Sequence, residues 1–163
     1  MESGSTSPPI RVLIADDTPE IVAAWSRLLS RTPGMMALPG VEHVSDLLDA
    51  IKTHAPDVVL LDVSMPFSGS ALPSALQTPM SSSLSSSLSP LPRASPLDMV
   101  ARLTAAGTLP RVLIYSGHSD PRIIAQARER GASGYVGKHE TPAIVLDAIR
   151  RVHAGETVFP KPE

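Results

Sequence analysis

The sequence predicts an α/β domain: a five-stranded parallel sheet wound on both faces by five helices. Three observations predict it. Outside one Ser/Pro-rich stretch, short apolar runs alternate with helix-like segments along the chain, as in successive βα units. Three of those runs are almost continuously aliphatic, the mark of strands buried on both faces. Four helix starts carry a Ser, Thr or Asp directly before a proline, a capping side chain followed by a residue suited to the first helical position.

Taken in order, the first strand covers residues 10–15, and Thr18-Pro19 opens the first helix, with Ile21, Val22, Trp25, Leu28 and Leu29 at helical spacing. Trp25 lies on that apolar stripe and is expected in the core. The second strand falls within residues 36–44. It contains Pro39 and Gly40, and a proline removes a ladder hydrogen bond, so this strand belongs at an edge. Ser45 is expected to cap the second helix, whose apolar positions are Leu47, Leu48 and Ile51. The third strand covers 58–63. Ser95-Pro96 opens the third helix, with Asp98 at capping-box spacing. The fourth strand covers 111–116, and Asp120-Pro121 opens the fourth helix, which Gly131 ends. Residues 134–137 form the fifth strand. Thr141-Pro142 opens the fifth helix, with Ile144, Val145, Ala148, Ile149 and Val152 on one face and Gly155 past its end. Right-handed crossovers leave few ways to arrange such a chain.

The exception is residues 67–96, where 11 of 30 residues are Ser and 5 are Pro, with Arg93 the only charge. Such a composition buries too little apolar surface to offset its ordering entropy, so residues 67–95 are expected to form a disordered or loosely attached inserted loop. A connection of about 2–6 residues is usual at that place. Leu72, Leu76, Met80, Leu84 and Leu88 fall four apart and would make a stripe on a helix, but Pro73, Pro79 and Pro90 favour a plain Ser-Leu repeat. The expected organisation is a disordered tail over 1–9, a domain over 10–159 carrying this loop, and a tail over 160–163.

The bulk numbers exclude several classes. At 163 residues and 42% apolar the chain can bury one core, with aliphatic side chains filling it because only 3% is aromatic. A net charge of −2, from 14 basic and 16 acidic residues, gives no electrostatic footprint for nucleic acid. The absence of cysteine excludes disulfides and thiolate metal sites. Residues 1–9 are polar and no apolar run reaches the roughly 20 residues a bilayer requires. A soluble, cytoplasmic single domain is the expectation.

In open α/β sheets the ligand sits beyond the carboxyl ends of the strands, where strand order reverses. Those ends carry Asp16 and Asp17, Asp62, Ser116 and Lys138: three carboxylates, a hydroxyl and an ammonium. Crowded carboxylates either raise a pKa or collect a hard cation, and an oxygen-only set suits Mg²⁺. An aspartate in such a site can attack phosphorus to give an acyl phosphate. Phosphoryl transfer then asks mainly for in-line positioning and neutralised oxygens, which Lys138 and Ser116 can help to supply. Asp16 and Asp17 also have a plainer reading as helix-capping acids, though Thr18 already fills that place. Strand 1 runs into Asp-Asp and not into a glycine-rich turn, which disfavours nucleotide binding. The five histidines (43, 54, 118, 139, 153) show no ligand spacing and are expected at the surface.

Ala15-Asp16-Asp17, Leu61-Asp62-Val63-Ser64-Met65-Pro66, Tyr115-Ser116-Gly117 and Gly134-Tyr135-Val136-Gly137-Lys138 together resemble the response-regulator receiver family. The phrases at 131–135 and 148–156 are most similar to its NarL/FixJ-type subfamily. The resemblance implies a flavodoxin-like fold with strand order 2-1-3-4-5. It implies Asp62 as phosphoacceptor; Asp17, Asp16, Asp62 and the Ser64 carbonyl around Mg²⁺; Ser116 as switch hydroxyl; Tyr135 as the aromatic that swings inward; and Lys138 as the ammonium that helps transfer. It further implies a sensor histidine kinase as donor and a reporter face of helix 4, strand 5 and helix 5. A homodimer would form through that face or through helices 1 and 5, with no membrane and no direct nucleic-acid contact by this chain. The chain would not be a turnover enzyme, but a phosphoacceptor that assists its own phosphorylation and dephosphorylation. Its output would be transcriptional control through a domain this sequence does not contain. Two alternatives stand beside this: a degenerate receiver acting as a phosphorylation-independent scaffold, and a Mg²⁺-dependent phosphohydrolase. The second usually carries its nucleophile on strand 1 in an Asp-x-Asp pair, unlike the adjacent Asp16-Asp17 here.

Overall fold

The computed structural model describes residues 7–65, 95–105 and 110–161. The expectations made for residues 1–6, for Pro66 and the Ser/Pro-rich stretch to residue 94 with its leucine spacing, and for 162–163 lie outside the described residues. Five strands, β1 (Ile10–Ala15), β2 (Met35–Ala37), β3 (Val58–Leu61), β4 (Arg111–Ser116) and β5 (Gly134–Gly137), alternate with α1 (Pro19–Arg31), α2 (Val44–His54), α3 (Pro96–Ala105), α4 (Pro121–Glu129) and α5 (Pro142–His153). All pairings are parallel and the order is β2-β1-β3-β4-β5, the flavodoxin-like arrangement that the resemblance implies.

The aliphatic strands divide their side chains alternately between two cores, as period-2 geometry requires. Leu13, Val59, Leu61, Val112 and Ile114 face α2, α3 and α4. Val12, Ile14, Val58, Leu60 and Leu113 face α1 and α5, where Trp25, Leu29, Val145 and Ile149 meet them. Burying each such side chain is worth about 1.5–3 kcal/mol. The two cores can therefore carry the cost of the three buried polar residues among the described ones, Asp16, Asp62 and Ser116. All three stand at the carboxyl ends of strands.

Some boundaries differ from expectation, each for a local reason. The second strand pairs over Met35–Ala37 with Ile10–Val12 and lies at the sheet edge. Pro39 and Gly40 fall just beyond it, and Val41 rejoins the ladder by donating to the Ile14 carbonyl at 2.9 Å. The third strand stops at Leu61, although the Asp62 N–H still donates to the Ala15 carbonyl at 2.9 Å. Ser45 does not cap α2: the helix begins at Val44 behind His43, which puts Ser45 in the first turn. Thr18 and Thr141 occupy the cap positions without a side-chain bond. Asp120 does cap, accepting from the Arg122 N–H at 2.8 Å. Gly131 and Gly155 adopt left-handed φ of 91° and 99° after α4 and α5. Both close Schellman motifs, with Ala132 N–H on the Ala127 carbonyl and Glu156 N–H on that of Arg151.

Candidate functional site

Strand order reverses between β1 and β3, and their carboxyl ends open the crevice that the fold offers a ligand. Asp16 and Asp17 leave β1 there, and the Asp62–Ala15 backbone bond holds Asp62 beside them. On the other side, the Lys138 N–H donates to the Ser116 carbonyl at 2.7 Å, which brings Lys138 off β5 next to the end of β4. The backbone register alone thus assembles the five residues that the strand ends predict.

One carboxylate oxygen from each of Asp16, Asp17 and Asp62 lies within 4.8 Å of the others. Lys138 Nζ donates to Asp16 Oδ2 at 2.8 Å and to Asp62 Oδ2 at 3.2 Å. The remaining oxygens of the two buried acids are held by local backbone: Asp16 Oδ1 accepts from the Thr18 N–H at 2.9 Å, and Asp62 Oδ1 from the Ser64 N–H at 2.8 Å. Asp16 thus steadies the approach to α1, as its plainer reading expects, and also pairs with Lys138. Asp17 and Ser64 are exposed at the rim.

The electrostatics are unbalanced. Two like charges 4.8 Å apart repel by about 3–4 kcal/mol at an effective dielectric near 20, and one ammonium faces three carboxylates. Burial, then the charges of Asp62 and Asp16, push the Asp17 carboxyl above its ordinary pKa, with its backbone bond and Lys138 pulling back. Burial by itself would lower Lys138, but its hydrogen bonds to Asp16 and Asp62 outweigh that, and its pKa ends above the usual lysine value. A hard cation would remove the excess negative charge, and the all-oxygen donor set fits Mg²⁺.

Beside this cluster Ser116 is fully buried, and its Oγ accepts from the His118 N–H at 3.1 Å. The Tyr135 ring is buried, and its hydroxyl donates to the His118 carbonyl. Burial raises the phenol's pKa, partly opposed by Ser116. The backbone of one residue, His118, thus bonds both residues expected to act as a switch, Ser116 through its N–H and Tyr135 through its carbonyl. All five histidines lie at the surface or only half-buried, as expected, and Trp25 is in the core, edge-on to Tyr115 at 5.7 Å between ring centroids.

Sequence reasoning missed Tyr115, whose ring lies 5.5 Å from Lys138 Nζ. Its place beside Ser116 on β4 was visible, but nothing in the sequence aims it at the ammonium. It also missed the backbone of His118, and the pairing of Val158 with β5. No helix among the described residues is long and apolar enough to cross a membrane.

The family model of the response regulator receiver domain matches residues 12–80, which span β1 to β3. Similarity to curated proteins extends further. The transcriptional activator protein ExaE of Pseudomonas putida is 28% identical over 153 residues, 93% of this chain and 58% of that protein. NarL of Mycobacterium tuberculosis, which bears the name of a transcriptional regulatory protein, is 28% identical over 150 residues, 91% of this chain and 57% of its own length. The chain thus spans less than three fifths of these relatives. Among solved structures, the signal receiver domain of Mycobacterium tuberculosis NarL superposes with a TM-score of 0.71 at 25% identity, over 92% of this chain and all of that one. A LuxR-family response regulator from Aurantimonas shares the fold, with a TM-score of 0.70 at 23% identity over 92% and 89%.

Proposed function

We propose that the chain is a receiver of the response regulator family, as the family model over residues 12–80 and the relatives along most of the chain support, and that Asp62 accepts a phosphoryl group from a sensor histidine kinase and switches partner binding. Asp16, Asp17, Asp62 and the carbonyl of Ser64 would hold Mg²⁺. The observation that carries this reading is the Lys138 ammonium bonded at once to Asp16 and Asp62, with the Asp17 carboxylate beside them, the one of the three carboxylates at the open rim.

The step is a displacement at phosphorus. A carboxylate oxygen of Asp62 forms the new O–P bond while the bond from phosphorus to the donor's leaving atom breaks, and that atom keeps the electron pair. The Ser64 N–H on Asp62 Oδ1 fixes the carboxylate's rotation, so the attacking oxygen is presented without a search. The Lys138 ammonium, drawn from its two carboxylates, is placed to bond a phosphoryl oxygen. When bound, Mg²⁺ supplies further positive charge for those oxygens. The Ser116 hydroxyl, now held by the His118 N–H, would turn to a third oxygen and so loosen the backbone of His118, whose carbonyl Tyr135 holds. The acyl phosphate shifts a population and catalyses no turnover of an external substrate. The names of the relatives support transcriptional control, exercised in the cytoplasm through an output domain; the chain itself would touch neither membrane nor nucleic acid.

Intact mass after incubation with Mg²⁺ and acetyl phosphate tests this. The parent should gain one phosphoryl group, about 80 Da, and neither Asp62→Asn nor a chelator-treated parent should. A parent without the adduct would overturn the phosphoacceptor reading, and turnover of a phosphate ester would then separate the phosphohydrolase alternative from the scaffold.

A further inference from the structure

Beyond α5 the chain turns back along the open edge of β5. Val158 forms a parallel bridge with Gly134, its N–H donating to the Ser133 carbonyl at 3.0 Å and its carbonyl accepting from the Tyr135 N–H at 2.7 Å. Strand alternation then splits the segment's side chains. Val158 packs on the α1/α5 core and Phe159 on the α2–α4 core, where the Arg128 guanidinium carbon lies 4.6 Å from the Phe159 ring centroid. Gly134 is what lets the segment approach so closely: a Cβ there would stand 2.7 Å from the Val158 carbonyl oxygen and 3.2 Å from its Cβ. Phe159 also walls a groove of about 640 Å³ shared with Ile124, Tyr135 and Ile144.

The residue whose N–H this segment binds is Tyr135, the aromatic tied through His118 to Ser116. We propose that residues 157–159 are a positioning strap: a detachable sixth strand that holds Tyr135 inward and thereby sets how readily Asp62 is phosphorylated. No hydrogen bond among the described residues joins the strap to Asp62 or Lys138; it acts through the Tyr135 backbone and the groove wall. It rests on the phosphoacceptor reading above. By linkage, if the strap favours the phosphorylated arrangement, then occupying the phosphoryl site must tighten the strap by the same factor.

The test uses the whole chain. Phosphorylation by acetyl phosphate is timed for the parent, Phe159→Ala, Val158→Pro and Phe159→Leu; amide exchange at Tyr135 is followed in all four, and at Val158 and Tyr135 in the parent with and without Mg²⁺ and beryllofluoride. Phe159→Ala and Val158→Pro should each slow phosphorylation by about fivefold or more, a usual size for a coupled site. Phe159→Leu, which keeps the apolar anchor, should stay within about twofold. Beryllofluoride should slow exchange at both amides in the unaltered parent. Faster Tyr135 exchange in the variants with unchanged phosphorylation rates would reduce the strap to a structural edge cover and overturn the proposal, as would a parent whose two amides ignore beryllofluoride. A parent that takes up no phosphoryl group would instead sink the phosphoacceptor reading, and the strap's role with it.

Discussion

Asp17 differs from the two carboxylates beside it in having an exposed side chain and no lysine bond. Its raised pKa has a definite sign for stability. A carboxyl that binds its proton more tightly in the folded state loses stabilising effect as pH rises from the unfolded value of 3.8 through the folded one. At neutral pH the ionised group is therefore a standing cost, reduced but not removed by solvent screening. Asp17→Asn should raise the melting temperature of the metal-free protein by about 1–3 °C, up to about 1 kcal/mol at this chain length. Saturating Mg²⁺ should raise the parent's melting temperature by mass action and leave the variant's nearly unchanged. Scanning calorimetry on both proteins, with metal and with chelator, checks the two outcomes together. A variant that melts lower than the parent without metal would show that Asp17 is stabilised in the fold, contrary to its electrostatic surroundings. The neighbouring pair Asp16 and Asp62 was legible for a different reason. Asp62 interrupts an aliphatic run and Asp16 ends one, and a buried carboxylate without a partner is too costly to be incidental.

Helix starts were read well as places and less well as bonds. Proline fixes φ near the helical value, so a Pro at the first helical position marks the start whether or not the preceding hydroxyl bonds the backbone, and at Thr18 and Thr141 it does not. The start of α2 has no proline, and its end is closed by Ala55 at a left-handed φ of 46°, a place where glycine is the usual signal; both ends were accordingly obscure. The capping box of α3 was legible from Ser95 and Asp98 alone. The Ser95 N–H and hydroxyl both donate to Asp98 Oδ2, at 2.9 and 3.0 Å, and Ser95 Oγ accepts from the Asp98 N–H at 3.2 Å. What the sequence hid is that Asp98 also pairs with Arg130 at the end of α4, while the Thr104 hydroxyl donates to the Arg130 carbonyl at 2.8 Å. The Ser95 backbone bond first, and then Arg130, lower the Asp98 pKa. Its contribution is thus present above the unfolded value and is lost as pH falls through the lower folded one. Because the side chain is 38% exposed, the pair counts at surface strength. Asp98→Ala should cost about 0.5–1.5 kcal/mol at neutral pH. In urea titrations the gap between parent and variant should narrow as pH drops below 3.8. A gap that persists in acid would assign the loss to packing.

Across the whole molecule, the site is where the two halves of the sheet are tied together. The alternation of apolar runs and helices was enough to place four chemistry-bearing strand ends on one side, because a parallel sheet with right-handed crossovers sends every strand's carboxyl end the same way. The strap on β5 was not legible. A single bridge at Val158 has no periodicity to detect, and Val158-Phe159 reads as a short apolar pair until the sheet edge it covers is known. Lys138 is the long-range tie: from β5 it reaches Asp16 after β1 and Asp62 after β3, across sequence separations that no local signal records. Only 24% of its side chain is exposed, against 1% and 2% for its partners, so most of its worth lies in not leaving two buried carboxylates unpaired. Lys138→Met should therefore destabilise the metal-free protein by about 2–4 kcal/mol. Adding Asp16→Asn to that variant should recover part of the loss, because the neutral amide no longer carries an uncompensated charge. The lysine's raised pKa gives the companion sign. Its contribution is full below the unfolded value of 10.5 and fades as pH rises through the higher folded one, so parent and Lys138→Met should converge in strongly alkaline solution. A double-mutant cycle by urea unfolding at neutral pH measures the coupling. If the two losses simply add, Lys138 and Asp16 do not act as a pair, and the tie across the sheet runs through Asp62 alone.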